Sequence, residues 1–478
     1  MAKLFFVAAA IFFFILYFHN VIEFDQDLGR HLLIGKIILE SHAVPQTNLL
    51  SYSYPNFSYV NSHWLSEVIF YLVGVPRLVY FKTAVMLAAT MITVYTAYKY
   101  SKNLAATALA FALFAPVLLE RTEIRPEIFS YLFTAVFLYI ILLRSKWLWL
   151  LVPLEILWVN VHIYFILGPA LVAIYCLSAR RYPLFAFLVL LVTLINPNGL
   201  TGALYPLRVF DNYGYSIVEN QNIFFLREVI FNPNIFYFGV ATLAFLGSFI
   251  FPFRRLPAVC YLLSALIVLP ILHIRSFPLL FLILLPVFAF NLSKMTWKPI
   301  VAIVILLTLF RAERLASGEY YQTIGSSKRF GSSVNESYKG AVDFILANHL
   351  SGPIFNNFDI GSYLDYRLYP SYKVFVDGRP EAYPKEFFQN IYIPMQQSAA
   401  NFTAVDKIVN FNLVIFSRTD GTPWGQQFLT DIIHNPKFNL VYLDDKTVVL
   451  TSQKNLPLAR ILPEPPGSRF VPSGLILF

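Results

Sequence analysis

The chain is 478 residues long, with 57% hydrophobic, 17% aromatic and 13% charged residues, about half the charged share of a soluble globular domain, which marks an integral membrane protein. Its 36 Lys+Arg against 27 Asp+Glu give a net charge of +9 without any Lys/Arg-rich run, so a nucleic-acid binder is excluded and the excess reads as a topology signal. The two cysteines, Cys176 and Cys260, lie in apolar stretches, which excludes a disulfide framework or a cysteine-based metal site.

The chain opens on Met1-Ala2-Lys3 and an apolar run from Leu4 to Phe18, with Ala8, Ala9 and Ala10 inside the run, the pattern of an uncleaved first span. Further apolar stretches fall at 64–80, 83–98, 104–119, 128–143, 147–160, 163–178, 183–196, 234–252, 257–272, 276–291 and 298–310. If 64–80 crossed the bilayer, Lys99, Lys102, Arg144, Lys146, Arg180, Arg181, Arg254, Arg255, Lys294 and Lys298 would all lie outside, inverting the positive-inside rule. With 64–80 laid along the outer interface, where His63, Ser66, Glu67, Arg77 and Lys82 suit it, those basic residues return to the cytoplasm together with Lys3. The prediction is an α-helical multi-spanning membrane bundle of about eleven transmembrane helices over residues 1–311. Its outer loop is 19–82, with an interfacial helix at 64–80 and the N-terminus cytoplasmic.

Residues 312–339 are polar and rich in Ser, Gly and Tyr, the composition of a linker. From 340 to 478 the pattern predicts a small extracytoplasmic α/β domain. Helices are expected at Ala341–Leu350, Ile360–Leu368, Val405–Asn410 and Gln426–His434, and strands at Ile354–Asn356, Lys373–Val376 and Leu413–Phe416. Leu440–Leu443 and Thr447–Thr451 form a hairpin candidate across Asp444-Asp445. Asp377-Gly378-Arg379-Pro380 reads first as a strand-ending turn closed by an ion pair, and second as a turn aiming Asp377 and Arg379 at the membrane. No GxGxxG fingerprint or P-loop marks the domain as nucleotide-binding.

This topology gathers the unusual polar residues on the outer face. Glu23, Asp25 and Asp27 stand at alternate positions after the first span, and three repelling carboxylates call for a cation, a proton or a basic substrate. With a helix starting near Asp27, Asp27 and His31 share a face, and Asp25 or Asp27 would be its N-terminal cap. Glu120 to Glu127 alternates charge, with Arg121, Glu123, Arg125 and Glu127 flanking Pro126 at the start of the next span. Its arginines suit bidentate phosphate binding, while a self-neutralising interfacial loop explains the same residues without a ligand. Glu155, Val159 and His162 fall on one helical face, turning Glu155 toward the outer side, and a protonated structural glutamate is the alternative. Asn196-Pro197-Asn198-Gly199 ends a span in a tight turn. Arg275, in His273-Ile274-Arg275, is a cation outside, against the prevailing bias, and suggests an anionic ligand or a lipid headgroup. Together these residues offer carboxylates able to deprotonate a hydroxyl, and arginines and histidines able to hold a phosphate, as transfer from a lipid-phosphate donor requires.

In Asp25-Gln26-Asp27, His63-Trp64-Leu65-Ser66-Glu67 and Arg125-Pro126-Glu127 the sequence resembles the GT-C class of membrane glycosyltransferases, and among them bacterial GT-C-like members of undefined substrate. The likeness extends to Asn160–His162, Asn196–Leu200 and Val374–Tyr383. It implies inverting transfer of a sugar from a polyprenyl-phosphate donor to a glycan, lipid or protein acceptor at the outer face of the plasma (inner) membrane. Asp25 or Asp27 would be the general base, with His31, His63, Glu67, Arg121, Glu123, Arg125, Glu127, Glu155, His162 and Arg275 around the substrate and its phosphate. A divalent cation, Mg or Mn, would sit on Asp25, Asp27 and Glu127. At the second acidic position, however, metal-dependent members often carry a further Asp pair where this chain has Glu123 and Glu127, so metal dependence stays open. Two rival readings are a non-catalytic GT-C-like protein binding glycan or assembling the cell envelope, and a transporter of lipid-linked glycans.

Overall fold

The computed structural model describes residues 1–21, 27–216, 220–229, 232–250, 257–454, 456 and 460–461. Helices dominate the first two thirds of the chain, and a five-stranded sheet occupies the last third. Among the described residues, Arg77–Ser101 and Ile274–Asn291 are each long and apolar enough to cross a membrane, and Pro183–Leu194 with Gly199–Leu207 makes a further pair bent by 116°. The bend falls at Asn196-Pro197, where Asn196 Nδ2 donates to the carbonyls of Thr193 and Gly199 (2.8 and 2.9 Å), replacing the helix bonds that Pro197 interrupts. Shorter apolar helices include Ala2–Tyr17, Leu104–Glu120, Glu127–Leu143, Ile163–Ala179, Pro233–Phe249 and Ala258–Leu272.

The 64–80 stretch is two elements rather than one interfacial helix. A helix runs Trp64–Val73, Gly74 turns the chain at φ 69°, and Arg77 already begins the 25-residue Arg77–Ser101 helix. Gly74 supplies the positive φ and Pro76 starts the new helix, so local backbone chemistry overrides the continuous hydropathy. Lys82, assigned to the interfacial stretch by its charge, is instead 1% exposed inside the long helix.

Leu28–Ser41 packs on Trp64–Val73 through Gly35, where a Cβ would lie 2.1 Å from the Glu67 carbonyl oxygen. At its other end Gly29 touches the Phe358–Leu368 helix, with a Cβ position 2.3 Å from the Ser362 carbonyl oxygen. Only glycine permits either approach, and the two together hold the Leu28–Ser41 helix between Trp64–Val73 and the C-terminal region.

The expected linker is partly helix. Pro299–Ala316 runs past 312, because Ala312, Leu315 and the preceding apolar residues keep burying one face. Residues 329–335 then pair with the chain that leaves the first helix: Asn20 N–H donates to Arg329 O and Val21 N–H to Ser333 O, both at 2.9 Å.

In the sheet the order is β1-β2-β4-β3-β5, with β1 Ile354–Asn356, β2 Leu413–Ser417, β3 Asn439–Leu443, β4 Thr447–Thr451 and β5 Arg460–Ile461. β1 and β2 are parallel, and β3 and β4 form the antiparallel hairpin anticipated across Asp444-Asp445. Both central strands, β2 and β4, are buried along their whole length, against a layer that includes Phe355, Phe402, Phe411, Phe416 and Phe428. The strand expected at Lys373–Val376 does not form. The Asn356 amide takes the ladder's place, accepting from Phe375 N–H (2.9 Å) and donating to Val376 O (2.7 Å), and Val374 makes a single bridge to Ser51.

Candidate active site

Asp27 occupies the N-terminal position of the Leu28–Ser41 helix, but its side chain makes no capping bond. Its carboxylate faces Arg30 one turn on (2.8 Å) and Arg125 from the loop before the Glu127–Leu143 helix (3.2 Å). Against the cost of burial, those two guanidiniums hold the Asp27 carboxyl well below the usual carboxylate range. Asp25 and Glu23 lie outside the described residues.

Glu67 reaches this cluster from Trp64–Val73. It accepts from His31 Nδ1 (2.9 Å) and Asn61 Nδ2 (2.7 Å), with Arg30 at 3.8 Å, and is 1% exposed. The bond to Glu67 makes His31 Nδ1 the protonated nitrogen. Burial, followed by the Arg30 charge, keeps the proton affinity of His31 below the ordinary value.

Pro126 starts the Glu127–Leu143 helix as expected, and Glu127 at its mouth accepts from Arg121 Nε at 2.7 Å, with Arg275 Nε at 3.9 Å. Arg275 is the most open of these cations, at 25% side-chain exposure. Arg121, Arg125 and Arg275 thus converge from two stretches 150 residues apart in the chain.

His63 lies between the other two histidines, its ring centroid 5.8 Å from His31 and 5.3 Å from His162. Tyr164 N–H donates to His162 Nδ1 (3.4 Å), which makes that nitrogen an acceptor, so the Ser130 hydroxyl donates to it (2.8 Å) while accepting from Trp158 Nε1 (2.7 Å), and the proton of a neutral ring lies on Nε2. Burial lowers His162 to about 3 and pushes His63 well below its usual value, with the neighbouring histidines acting in the same direction on His63. Neutral imidazoles accept and donate hydrogen bonds, but they bring no charge to a phosphate. Any phosphate charge here falls to the arginines.

Two of the anticipated residues lie elsewhere. Glu123 pairs with Lys328 from the 329–335 approach, beside Lys82, His19 and Thr122, where Lys82 Nζ donates to Thr122 O at 2.8 Å. Glu155 is fully buried against Gly168, and neither carboxyl oxygen has a hydrogen-bond partner among the described residues. The shared face predicted for Glu155 and His162 fails because the helix ends at Val161 and His162 is extended (φ −164°, ψ 144°).

Sequence reasoning missed Arg30, although it stands one helical turn from Asp27 and three residues is the spacing at which charges meet. It also passed over Asn61, Ser130 and Trp158, hydrogen-bonding residues without charge or motif. Asp377 and Arg379 form the anticipated ion pair, at 2.5 Å and essentially without exposure. The Arg379 guanidinium also donates to Asn48 Oδ1 (2.7 Å) and covers the Tyr59 ring, 5.1 Å from its centroid.

The donor set does not suit a divalent cation among the described residues. Asp27 and Glu127 are each already neutralised by guanidiniums, and no group of three or more His, Cys, Asp or Glu side chains is placed to share an ion there. An apolar groove of about 780 Å³ is lined by residues that include Ile223, Phe224, Arg227, Asn232, Leu243 and Ile271. Asn232 and Asn234 tie it to the arginine-bearing loop by donating to Glu120 Oε2 (2.9 and 2.8 Å).

No family model matches the chain, and no curated protein matches it in sequence. Solved structures do match in fold. Arabinofuranosyltransferase AftD from Mycobacteria superposes with a TM-score of 0.52 at 14% identity, over 95% of this chain and 42% of that one. Oligosaccharyltransferase AglB from Archaeoglobus fulgidus, solved with an inhibitory peptide and a dolichol-phosphate, gives 0.61 at 12%, over 89% and 70%. ArnT from Cupriavidus metallidurans, bound to undecaprenyl phosphate, gives 0.51 at 13%, over 94% and 97%. The chain therefore spans less than half of the mycobacterial transferase and nearly the whole length of ArnT. At these identities the likeness is one of architecture: the chain has the fold of the GT-C membrane glycosyltransferases.

Proposed function

We propose that this protein transfers a sugar, with inversion, from a polyprenyl-phosphate donor to an acceptor at the outer face of the membrane. The observation that carries this reading is the convergence of Arg121, Arg125 and Arg275 on Asp27 and Glu127, with an apolar groove tied through Asn232 to Glu120, the residue before Arg121. An arginine cluster answers the charge that builds on a leaving phosphate, and a groove walled by Phe224, Leu243 and Ile271 suits an isoprenoid tail. AglB was solved with dolichol-phosphate and ArnT with undecaprenyl phosphate, so lipids of this class occupy two proteins of the same fold. In the reading proposed, about eleven helices span the plasma (inner) membrane, the N-terminus is cytoplasmic and the C-terminal region is outside.

The test is release of undecaprenyl phosphate by the full-length protein in nanodiscs. The donors are undecaprenyl phosphate carrying a hexose, an N-acetylhexosamine or a pentose, with water as acceptor. Turnover of at least one donor, lost on Arg125→Ala, is the expected result, and no turnover of any donor overturns the reading. For sidedness, single cysteines at Lys146 and Glu386 in a variant lacking Cys176 and Cys260 are exposed to an impermeant maleimide on intact cells. Labelling at 386 alone fits the proposed orientation, and labelling at 146 alone contradicts it.

A further inference from the structure

The Glu127–Leu143 helix has the arginine cluster at its start and a second groove at its end. Tyr139 contributes to that groove from the last turns of this helix, and Tyr95 from the last turns of Arg77–Ser101. Phe6 comes from the first turns of Ala2–Tyr17, and Trp147 from the turn that leads into Leu151–Val161. With their apolar neighbours these residues enclose about 620 Å³, the size of a ligand pocket. From Glu127 to Tyr139 the helix rises by about 18 Å, so the groove is remote from the arginine cluster.

Two cations stand on the rim of this groove, each touching a residue that lines it. Arg144 Nε donates to the Tyr139 hydroxyl (3.1 Å), and its guanidinium lies 5.7 Å from the centre of the Trp147 ring. Lys99 Nζ lies 5.5 Å from the centre of the Tyr95 ring, and Tyr95 meets Tyr139 with centroids 6.3 Å apart. The three rings thus join Lys99 and Arg144 into one rim. Both cations are exposed, and among the described residues no carboxylate pairs with either. The stretches that build the groove supply none, since 1–22, 83–119 and 128–154 contain no Asp or Glu. Trp147 and Trp149, 50% and 69% exposed, stand beside them, as tryptophans do at the level of lipid headgroups.

A cation that merely snorkels needs only the bilayer surface. Here two unneutralised cations share a rim with an apolar groove between helices, which is the composition of an anionic lipid: a phosphate above and a hydrocarbon chain below. Arg144, with Nε engaged by Tyr139, keeps both terminal nitrogens for phosphate oxygens.

We propose that this groove binds an anionic phospholipid, phosphatidylglycerol being the simplest, with its phosphate on Arg144 and Lys99 and one acyl chain in the groove. Basic pockets between membrane helices take phosphate headgroups in this way. The bound lipid would bridge the ends of helices that meet nowhere near the arginine cluster, and the site is independent of the transferase reading.

The test titrates the full-length protein in dodecyl maltoside with dioleoylphosphatidylglycerol or dioleoylphosphatidylcholine, counting bound lipid by native mass spectrometry, with melting temperature measured without lipid. Wild type should prefer phosphatidylglycerol by roughly 10-fold or more, and Lys99→Ala with Arg144→Ala should abolish the preference. Leu150→Trp, which fills the groove and leaves both cations, should weaken both lipids. Arg180→Ala with Arg181→Ala removes the same charge after Leu167–Ala179, at the same end of the bundle, and should keep the wild-type preference. If the first pair lowers melting temperature, Lys99→Gln with Arg144→Gln keeps both stems and is read in its place. Equal affinity of wild type for the two lipids overturns the site, as does a preference that survives the Lys99 and Arg144 changes. An equal loss in the Arg180 and Arg181 variant would reduce the effect to bulk charge, and full binding in Leu150→Trp would remove the groove from it. Displacement of phosphatidylglycerol by equimolar undecaprenyl phosphate would give the groove to the donor lipid, which also overturns the proposal.

Discussion

Glu123 and Glu127 are four residues apart in one charged stretch, yet they serve different regions of the molecule. Glu127 faces Arg121 and Arg275 at the mouth of its helix, whereas Glu123 turns to Lys328, next to Lys82 and His19, where the 329–335 segment returns to the first helix. The first region gathers several guanidiniums around two largely buried carboxylates, Glu127 and Asp27. The second uses a carboxylate to neutralise lysines at a seam of the fold. The comparison teaches that charge alternation alone does not define a site. What separates the two is the kind and number of cations that share each carboxylate: two guanidiniums around Glu127, one lysine on Glu123.

The sharpest way to break the comparison is Asp27→Ala, which leaves Arg30 and Arg125 facing one another at 8–10% side-chain exposure. Removing one partner of such a buried set costs about 3–5 kcal/mol, so melting temperature should drop strongly and turnover should disappear. A variant with wild-type melting and turnover would contradict the site. Next in size is Gly29→Ala. Its Cβ would meet the Ser362 carbonyl at 2.3 Å, and overpacking of about 1–3 kcal/mol should loosen the C-terminal region, read as faster proteolysis of that region in nanodiscs. Unchanged cleavage would mean that the outer loop and the C-terminal region are not coupled there.

Glu123→Gln sharpens the distinction from the other side. Its pair with Lys328 is 22–32% exposed, so a loss of roughly 1–2 kcal/mol is expected, between the limits for exposed and buried pairs. Turnover per folded molecule should persist, and its abolition would move Glu123 back into the site. The smallest effect at neutral pH belongs to His162→Asn, which removes the Ser130 hydrogen bond, worth about 1 kcal/mol. This variant has a clearer signature in acid. Burial lowers folded His162 from 6.5 to about 3, so below 6.5 the unfolded chain binds a proton that the folded one refuses. Stability conferred by the neutral ring is complete above that value and is lost as pH falls toward 3. A melting temperature followed from pH 7 to pH 4 should therefore fall less steeply in His162→Asn than in wild type. Parallel curves would mean that His162 does not titrate as described.

Much of the frame was legible in advance. Hydropathy located the apolar stretches, Pro126 marked a helix start, and period-two segments found the β3–β4 hairpin, because these features depend on residues close in sequence. The split at 74–76 was missed since Gly74 and Pro76 act on backbone geometry while the stretch remains apolar throughout. The Lys373–Val376 strand was over-read because a single side chain, Asn356, satisfies the backbone groups that a neighbouring strand would have taken. Glu155 was misplaced by extending a helical face one residue beyond the helix.

The sequence by itself determined the solvent of this protein and its apolar segments, since hydropathy is summed over local residues. Only the tertiary structure decided which carboxylates are held by arginines, that Glu123 and Glu155 leave the cluster, and that Arg30 joins Arg125 on Asp27. Those outcomes depend on contacts between segments as far apart as Glu123 and Lys328, whose energies come from burial and pairing geometry that no periodicity records.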